Sequence, residues 1–250
     1  MSCNRIYTLK LVKRVDEPFN LKAVKTPAVI LPTKVDLRPK MPPVYDQGNL
    51  GSCTANVFVA AIQHQDPTFY GSRLFLYYNE RVLGGNVDYD SGATLADGIN
   101  ALKKTGVCSE SVWPYNINRF AVKPTPPSYI NAQKHKVLIA APIQGTSYSI
   151  KQSLAQNIPI AIGIAVYTSF ESNNVTATGI VPMPKPNEKL LGGHAVLAVG
   201  YDDSKQWWIM RNCWGPKWGD KGYFYLPYAY LLNPNLCSEL WNISSITRDV

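Results

Sequence analysis

The sequence predicts an α+β protein of two lobes, the first helical and the second β-rich, with a cleft between them. The first helical periodicities fall in the front half, and the back half carries short apolar strands broken by glycine and proline. The bulk numbers agree: 250 residues at 46% hydrophobic can bury one large core or two modest ones. A cleft between lobes is a common place for a catalytic site.

Taken in order, the first 34 residues are basic and weakly patterned, with TLKLVKRV alternating enough for a short strand. Pro27, Pro32, Pro39, Pro42 and Pro43 then impose extended chain. The boundary falls near residues 31–35, so 1–34 read as an extension and 35–250 as the main body. Residues 52–65 predict a helix that opens on Ser52, carries Val57, Ala61 and Ile62, and is closed by Pro67. A second helix is predicted over 94–104, with Leu95, Ile99 and Leu102 on one face and Gly106 as its cap. A third, over 149–156, leads into an apolar strand at 159–166. Further strands are predicted at 195–201, 207–211 and 222–226.

Charge and cysteine usage exclude several function classes. The net charge of +8 comes from 25 basic and 17 acidic residues, but the lysines and arginines are scattered and never interleave with aromatics. That is a basic solvated surface, and no nucleic-acid partner is expected. No apolar run reaches the roughly 20 residues needed to cross a bilayer. The N-terminus has no apolar h-region, so a cytoplasmic or virion-associated monomer is expected, without a membrane partner. Cys3, Cys53, Cys108, Cys213 and Cys237 are an odd number with no CxxC spacing, which argues for free thiols and against a zinc site.

One of those thiols is placed for chemistry. In Gln47-Gly48-Asn49-Leu50-Gly51-Ser52-Cys53 a glycine-rich turn delivers a cysteine to the first turn of a helix. Unsatisfied N–H groups and the helix dipole favour an anion there, so the thiolate forms more readily and the backbone N–H can hold an oxyanion. Taken alone, the pattern fits a small buried hydrophobe equally well. A thiolate also needs a proton carrier, and there are three histidines. His64 lies eleven residues along the same helix, about 16 Å away. His135 sits in the polar stretch NAQKHKV and reads as solvated surface. His194, opening AVLAVGY in the other half, is the one placed to cross a cleft. Asn212, at the end of the next strand, can accept from the second ring nitrogen, with Trp214 covering the bond. Without the other two, Asn212 would read as a turn residue and Trp214 as a core aromatic.

With those residues in place, the sequence resembles the papain/cathepsin family of cysteine peptidases. VDLR, QGNLGSC, GVCSE with WPY, GGHAVLAVGY and RNCWGPKWGDKGYFYL occur in the family's order from about Leu31 onward. His194 and Asn212 follow Cys53 by 141 and 159 residues, against a family spacing of about 130–150. The resemblance implies a papain-like fold with a helical N-terminal lobe and an antiparallel, barrel-like C-terminal lobe. It also implies Gln47 as the side-chain donor to an oxyanion and Trp214 as a shield over the Asn212–His194 bond. The implied reaction is peptide hydrolysis through a thioacyl-enzyme, with no metal or organic cofactor. Matching by motif puts the main side-chain pocket at Ala93, Thr94, Gly163 and Gly192 with Asn242 near its floor. Gly51, Ser52 and Gly193 are the other substrate-binding positions. No insertion blocks either end of the cleft, which favours an endopeptidase.

The departures also carry information. Leu50 stands where secreted members carry a disulfide cysteine, Thr54 replaces an aromatic, and Cys237 has no cysteine before His194 to pair with. LGSCT is similar to bacterial and large-virus members. Cys213, where serine is common, is expected to be only a small neighbour. The extension is too short for the family's helical pro-segment. It is expected either to pack near the cleft as a short inhibitory segment or to add a strand to the body. A catalytically dead peptide-binding relative is the competing class, against which all four expected side chains are present.

Overall fold

The computed structural model describes residues 5–12, 14 and 30–247. The front lobe holds β1 (Lys34–Asp36), α1 (Cys53–Gln65), α2 (Arg73–Leu83), α3 (Leu95–Lys104) and α4 (Pro126–Ala132). Next come β2 (Val137–Pro142), α5 (Ser147–Ala155), β3 (Ile160–Tyr167) and α6 (Asn173–Thr178). The chain ends with β4 (Leu190–Asp202), β5 (Trp207–Arg211), β6 (Tyr223–Pro227), α7 (Tyr228–Leu232) and β7 (Cys237–Ile246). The strands form one antiparallel sheet ordered β2-β7-β3-β4-β5-β6, with β1 pairing β4 off that path.

The helix α1 is apolar nearly all round, CTANVFVAAI being buried without a break, which marks a central helix rather than a surface one. It packs against β3 and β4 on one side and α2 and α3 on the other. Its N-terminus thereby meets the sheet at Cys53. The strand β3, IAIGIAVY, is buried on both faces and reads accordingly as a continuous apolar run. The helix α3 begins at a capping box in which Thr94 and Asp97 satisfy each other's backbone N–H groups, worth about 1 kcal/mol. It ends at Gly106, whose φ of 81° only glycine adopts cheaply.

The predicted helices at 52–65 and 94–104 differ from the observed ones by a residue or so. The third starts two residues earlier than predicted, at Ser147, because Thr146 caps it. Two expectations need correcting. The described residues of TLKLVKRV form no regular strand: Thr8 and Leu9 make isolated bridges to Gly193 of β4. His135 is not solvated surface but stacks on Phe69, ring centroids 3.7 Å apart. The helix α2 is not among the predicted helices; it buries Arg73 through Arg81, arginines and glutamate included, and leaves only Val82 and Leu83 exposed. Among the described residues no helix is long and apolar enough to cross a membrane.

Candidate active site

The loop before α1 is held at both ends. Gln47 N–H donates to the Cys213 carbonyl at 2.9 Å, and Gly51 N–H donates to Asp90 Oδ2 at 2.8 Å. Gly48, at φ 61°, lets the turn reverse direction. Cys53 is therefore the first residue of α1, 1% exposed, with Ala195 of β4 hydrogen-bonding its sulfur through the backbone. His194, the preceding residue on β4, is thereby brought to the sulfur's neighbourhood.

The proton on His194 can be assigned by elimination. His194 Nε2 lies 2.9 Å from Asn212 Oδ1, and the same oxygen accepts the Cys213 backbone N–H at 2.8 Å. A backbone N–H can only donate, so the Asn212 atom is an acceptor and Nε2 must carry the hydrogen. Nδ1 is left with its lone pair, as a base for a thiol requires. Trp214 stacks on the imidazole, centroids 4.7 Å apart and planes 24° apart, and Phe170 and Trp218 pack edge-on behind it.

Gln47 is 2% exposed, and its Nε2 donates to Leu50 O at 2.8 Å, leaving the second amide hydrogen for a ligand. Its Oε1 accepts the thiol of Cys213 at 2.8 Å. Cys213 is thus more than a small neighbour: it sets which way the amide faces. Sequence reasoning missed this because the two residues are 166 positions apart.

The substrate-binding expectations divide. Gly51, Ala93, Gly163, Gly192 and Gly193 all border the groove taken up by residues 7–11. Thr8 Oγ1 donates to Gly51 O at 3.1 Å, Leu9 N–H to Gly193 O at 3.3 Å, and Lys10 N–H to Ala93 O at 3.3 Å. A Cβ on Gly51, Gly92 or Gly193 would strike this segment. Leu9 reaches Gly163 and is 5% exposed; burying a leucine is worth roughly 1.5–3 kcal/mol. Tyr7 sits edge-on to both His194 and Trp214, and the Arg5 guanidinium lies 4.1 Å from the Trp214 ring centroid. Glu171 holds Arg5 in an ion pair and accepts from the Tyr7 hydroxyl.

Three expectations are corrected. Ser52 does not face the groove; it is fully buried, its hydroxyl bonded to Tyr115 and Asn56. Thr94 spends its side chain on capping α3. Asn242 pairs with Ile160 and Ala141, while Ser238 lies beside Gly163 and donates to its carbonyl at 3.2 Å. In the β3–β7 ladder Asn242 lies opposite Ile160, three residues before Gly163, and the chain reaches Gly163 only near Ser238.

The buried site favours neutral groups. Burial pushes the Cys53 thiol up to about 12, against the backbone bond from Ala195. Burial likewise brings His194 down to about 4; the Asn212 bond opposes this and the Arg5 charge adds to it. With residues 5–12 over them, the pair rests as thiol and neutral imidazole. The four described cysteines are buried and form no disulfide, and Cys3 lies outside the described residues.

Residues 31–238 match the family model described as papain family cysteine protease. An uncharacterised peptidase C1-like protein of Acanthamoeba polyphaga mimivirus is 44% identical over 219 residues, covering 82% of this chain and 70% of the relative. A cathepsin L-like peptidase of Aedes aegypti is 30% identical over 245 residues, covering 88% and 66%. Among solved structures, xylellain, a cysteine protease from Xylella fastidiosa, superposes with a TM-score of 0.82 at 36% identity, covering 96% of this chain and 97% of its own.

Proposed function

The chain belongs to the papain family of cysteine proteases, and from that premise we propose that it is an endopeptidase with Cys53 as nucleophile, held off in the closed form by its own N-terminal segment. The observation that carries the chemistry is the shared Asn212 oxygen, which leaves His194 Nδ1 as a base next to a sulfur bonded by Ala195. Nδ1 takes the thiol proton and the sulfur attacks the scissile carbonyl carbon. A C–S bond forms, and the carbonyl electron pair moves to oxygen, toward the Cys53 N–H and the Gln47 amide. Collapse breaks the C–N bond, and the leaving amine takes the proton from His194. Water then gives a proton to Nδ1 and attacks the thioester, releasing the acid and restoring the thiol.

The endopeptidase reading is supported by how far the groove runs. It accepts the chain from Arg5 at Trp214, past Gly193, to Lys10 at Ala93, with Arg14 continuing to donate to Leu231 O. A substrate laid along the same residues would continue at both ends, past Trp214 and past Ala93. That segment also supports the inhibitory role of residues 1–34, since substrate and extension would need the same groove.

The test compares full-length protein, the variant Arg5→Ala/Tyr7→Ala and Cys53→Ala on peptides blocked at both ends, under reducing conditions. Internal cleavage that rises in the double variant and vanishes in Cys53→Ala is expected. Cleavage only of peptides with a free end would rule out the endopeptidase reading. Unchanged rates in the double variant would remove the inhibitory one.

A further inference from the structure

A carboxyl group lies beneath the nucleophile, and the hydrolytic cycle does not use it. Glu80, on α2, is fully buried. Thr54, the residue after Cys53 in the first turn of α1, donates its hydroxyl to Glu80 Oε2 at 2.5 Å. An aromatic side chain, as the family resemblance leads one to expect at this position, could not make that bond. Among the described residues, Glu80 Oε1 has no hydrogen-bond partner. It faces Gly98 of α3, only 2.9 Å from where a Cβ would stand, so this glycine makes the room.

Among the described residues no lysine or arginine forms an ion pair with this carboxyl, and the Arg81 charge acts on it only from a distance. Arg81, its neighbour on α2, spends its guanidinium on the carbonyls of Val87, Tyr89 and Phe120. Asp97, facing it from α3, is committed to Thr94 and would repel a second carboxylate. From α1 only the Thr54 hydroxyl reaches it, with Cys53 beyond. A carboxylate buried on one hydroxyl is costly, so the proton is kept. Burial raises Glu80 to about 8, against the Thr54 bond. The charge it acquires above that pH is felt at Cys53, where it adds to burial in pushing the thiol up.

We propose that Glu80 is a positioning residue for the nucleophile, a neutral acid anchored by Thr54 under the first turn of α1, whose ionisation suppresses the Cys53 thiolate. While Glu80 is protonated, the field at the N-terminus of α1 acts on the sulfur unopposed. Once it is ionised, a negative charge bonded to the adjoining residue opposes that field. This inference rests on Cys53 being the nucleophile.

The experiment measures iodoacetamide alkylation of Cys53 in the full chain from about pH 6 to pH 9.5, site by site through peptide mapping, for wild type and Glu80→Gln. The amide cannot ionise, so the ratio of variant to wild-type rate should climb about tenfold across that range, the effect of one pKa unit. A ratio flat with pH overturns the proposal. Should Glu80→Gln fail to fold, infrared spectra of the wild type decide. The C=O band of a protonated carboxyl, displaced in Thr54→Val, should be present at pH 6 and lost by pH 9.5. Its absence at pH 6 overturns the proposal equally. If Cys53 reacts no faster than Cys108 or Cys237 even in the Arg5→Ala/Tyr7→Ala background, where the segment is released, the nucleophile reading itself fails. A fast Cys53 with a flat ratio defeats only the role of Glu80.

Discussion

Cys213 donates its thiol hydrogen to the amide oxygen of Gln47 across 2.8 Å, with both side chains buried. That bond turns the amide so that its NH2 end stays with Leu50 O and the oxyanion position. Cys213→Ala removes the donor and frees the amide to rotate. A fall in kcat of about tenfold is expected, equivalent to ~1.4 kcal/mol of transition-state stabilisation, with KM little changed. Cys213→Ser keeps a donor of similar reach and should restore most of the rate. Equal losses in both variants would show that packing, not the hydrogen bond, matters at this position.

Leu9 anchors the N-terminal segment by filling the space over Gly163. Leu9→Asp forfeits that burial, roughly 1.5–3 kcal/mol before the cost of the charge. Peptidase activity should rise on the order of 10- to 100-fold, and a synthetic peptide of residues 5–14 should inhibit the variant when added in trans. Initial-rate assays on wild type and variant check both.

The closed state should weaken in acid. His194 is depressed from 6.5 to about 4 by burial, so the closed form binds fewer protons than an open, solvated one. The stability this gives is fully present above about pH 6.5 and is lost as pH falls from there toward 4. Glu171 acts the other way. Burial raises it despite Arg5, so its contribution declines as pH rises above the ordinary carboxylate range. The protection of the Leu9 and Lys10 amides from hydrogen exchange, relative to the intrinsic rate at each pH, should therefore fall between about pH 6.5 and pH 4, and more steeply in Glu171→Gln.

Gly98 is a packing constraint rather than a turn. A methyl group there meets the Phe58 ring and Glu80 Oε1 at once, and neither can withdraw from the core. Gly98→Ala should cost about 1–3 kcal/mol, a drop in Tm of several degrees by thermal denaturation. The gain in helix propensity, under about 1 kcal/mol, would offset part of this.

Much of the molecule was legible in one dimension, for reasons that are local. A glycine-rich turn ahead of an apolar helix places a cysteine at a helix N-terminus whatever else the chain does. Thr94 followed by Asp97 starts α3 by itself, and a run such as Ile160–Tyr167 cannot be anything but interior. The His194–Asn212 bond was also expected from the sequence, because the other histidines sit on the wrong element or in polar sequence. The misreadings followed from the same limit. The helix α2 buries arginine and glutamate among its apolar residues, and the pairing of β3 with β7 puts Ser238 beside Gly163, where matching by motif put Asn242.

What the sequence alone determined, then, was the class of fold and the family, and it supplied the candidates for the reacting side chains. Each is written in local periodicity or in short motifs. The tertiary structure alone decided that Leu9 covers Gly163, that Cys213 aims Gln47, and that Thr54 is bonded to a carboxyl on another helix. These contacts join residues 26 to 166 positions apart at the extremes of the two hydrogen bonds, and nothing in either partner's neighbourhood announces the other. Burial supplies the physical reason for their importance. With water excluded, one hydroxyl, one thiol or one proton sets the charge and direction of its partner, and only the folded chain excludes that water.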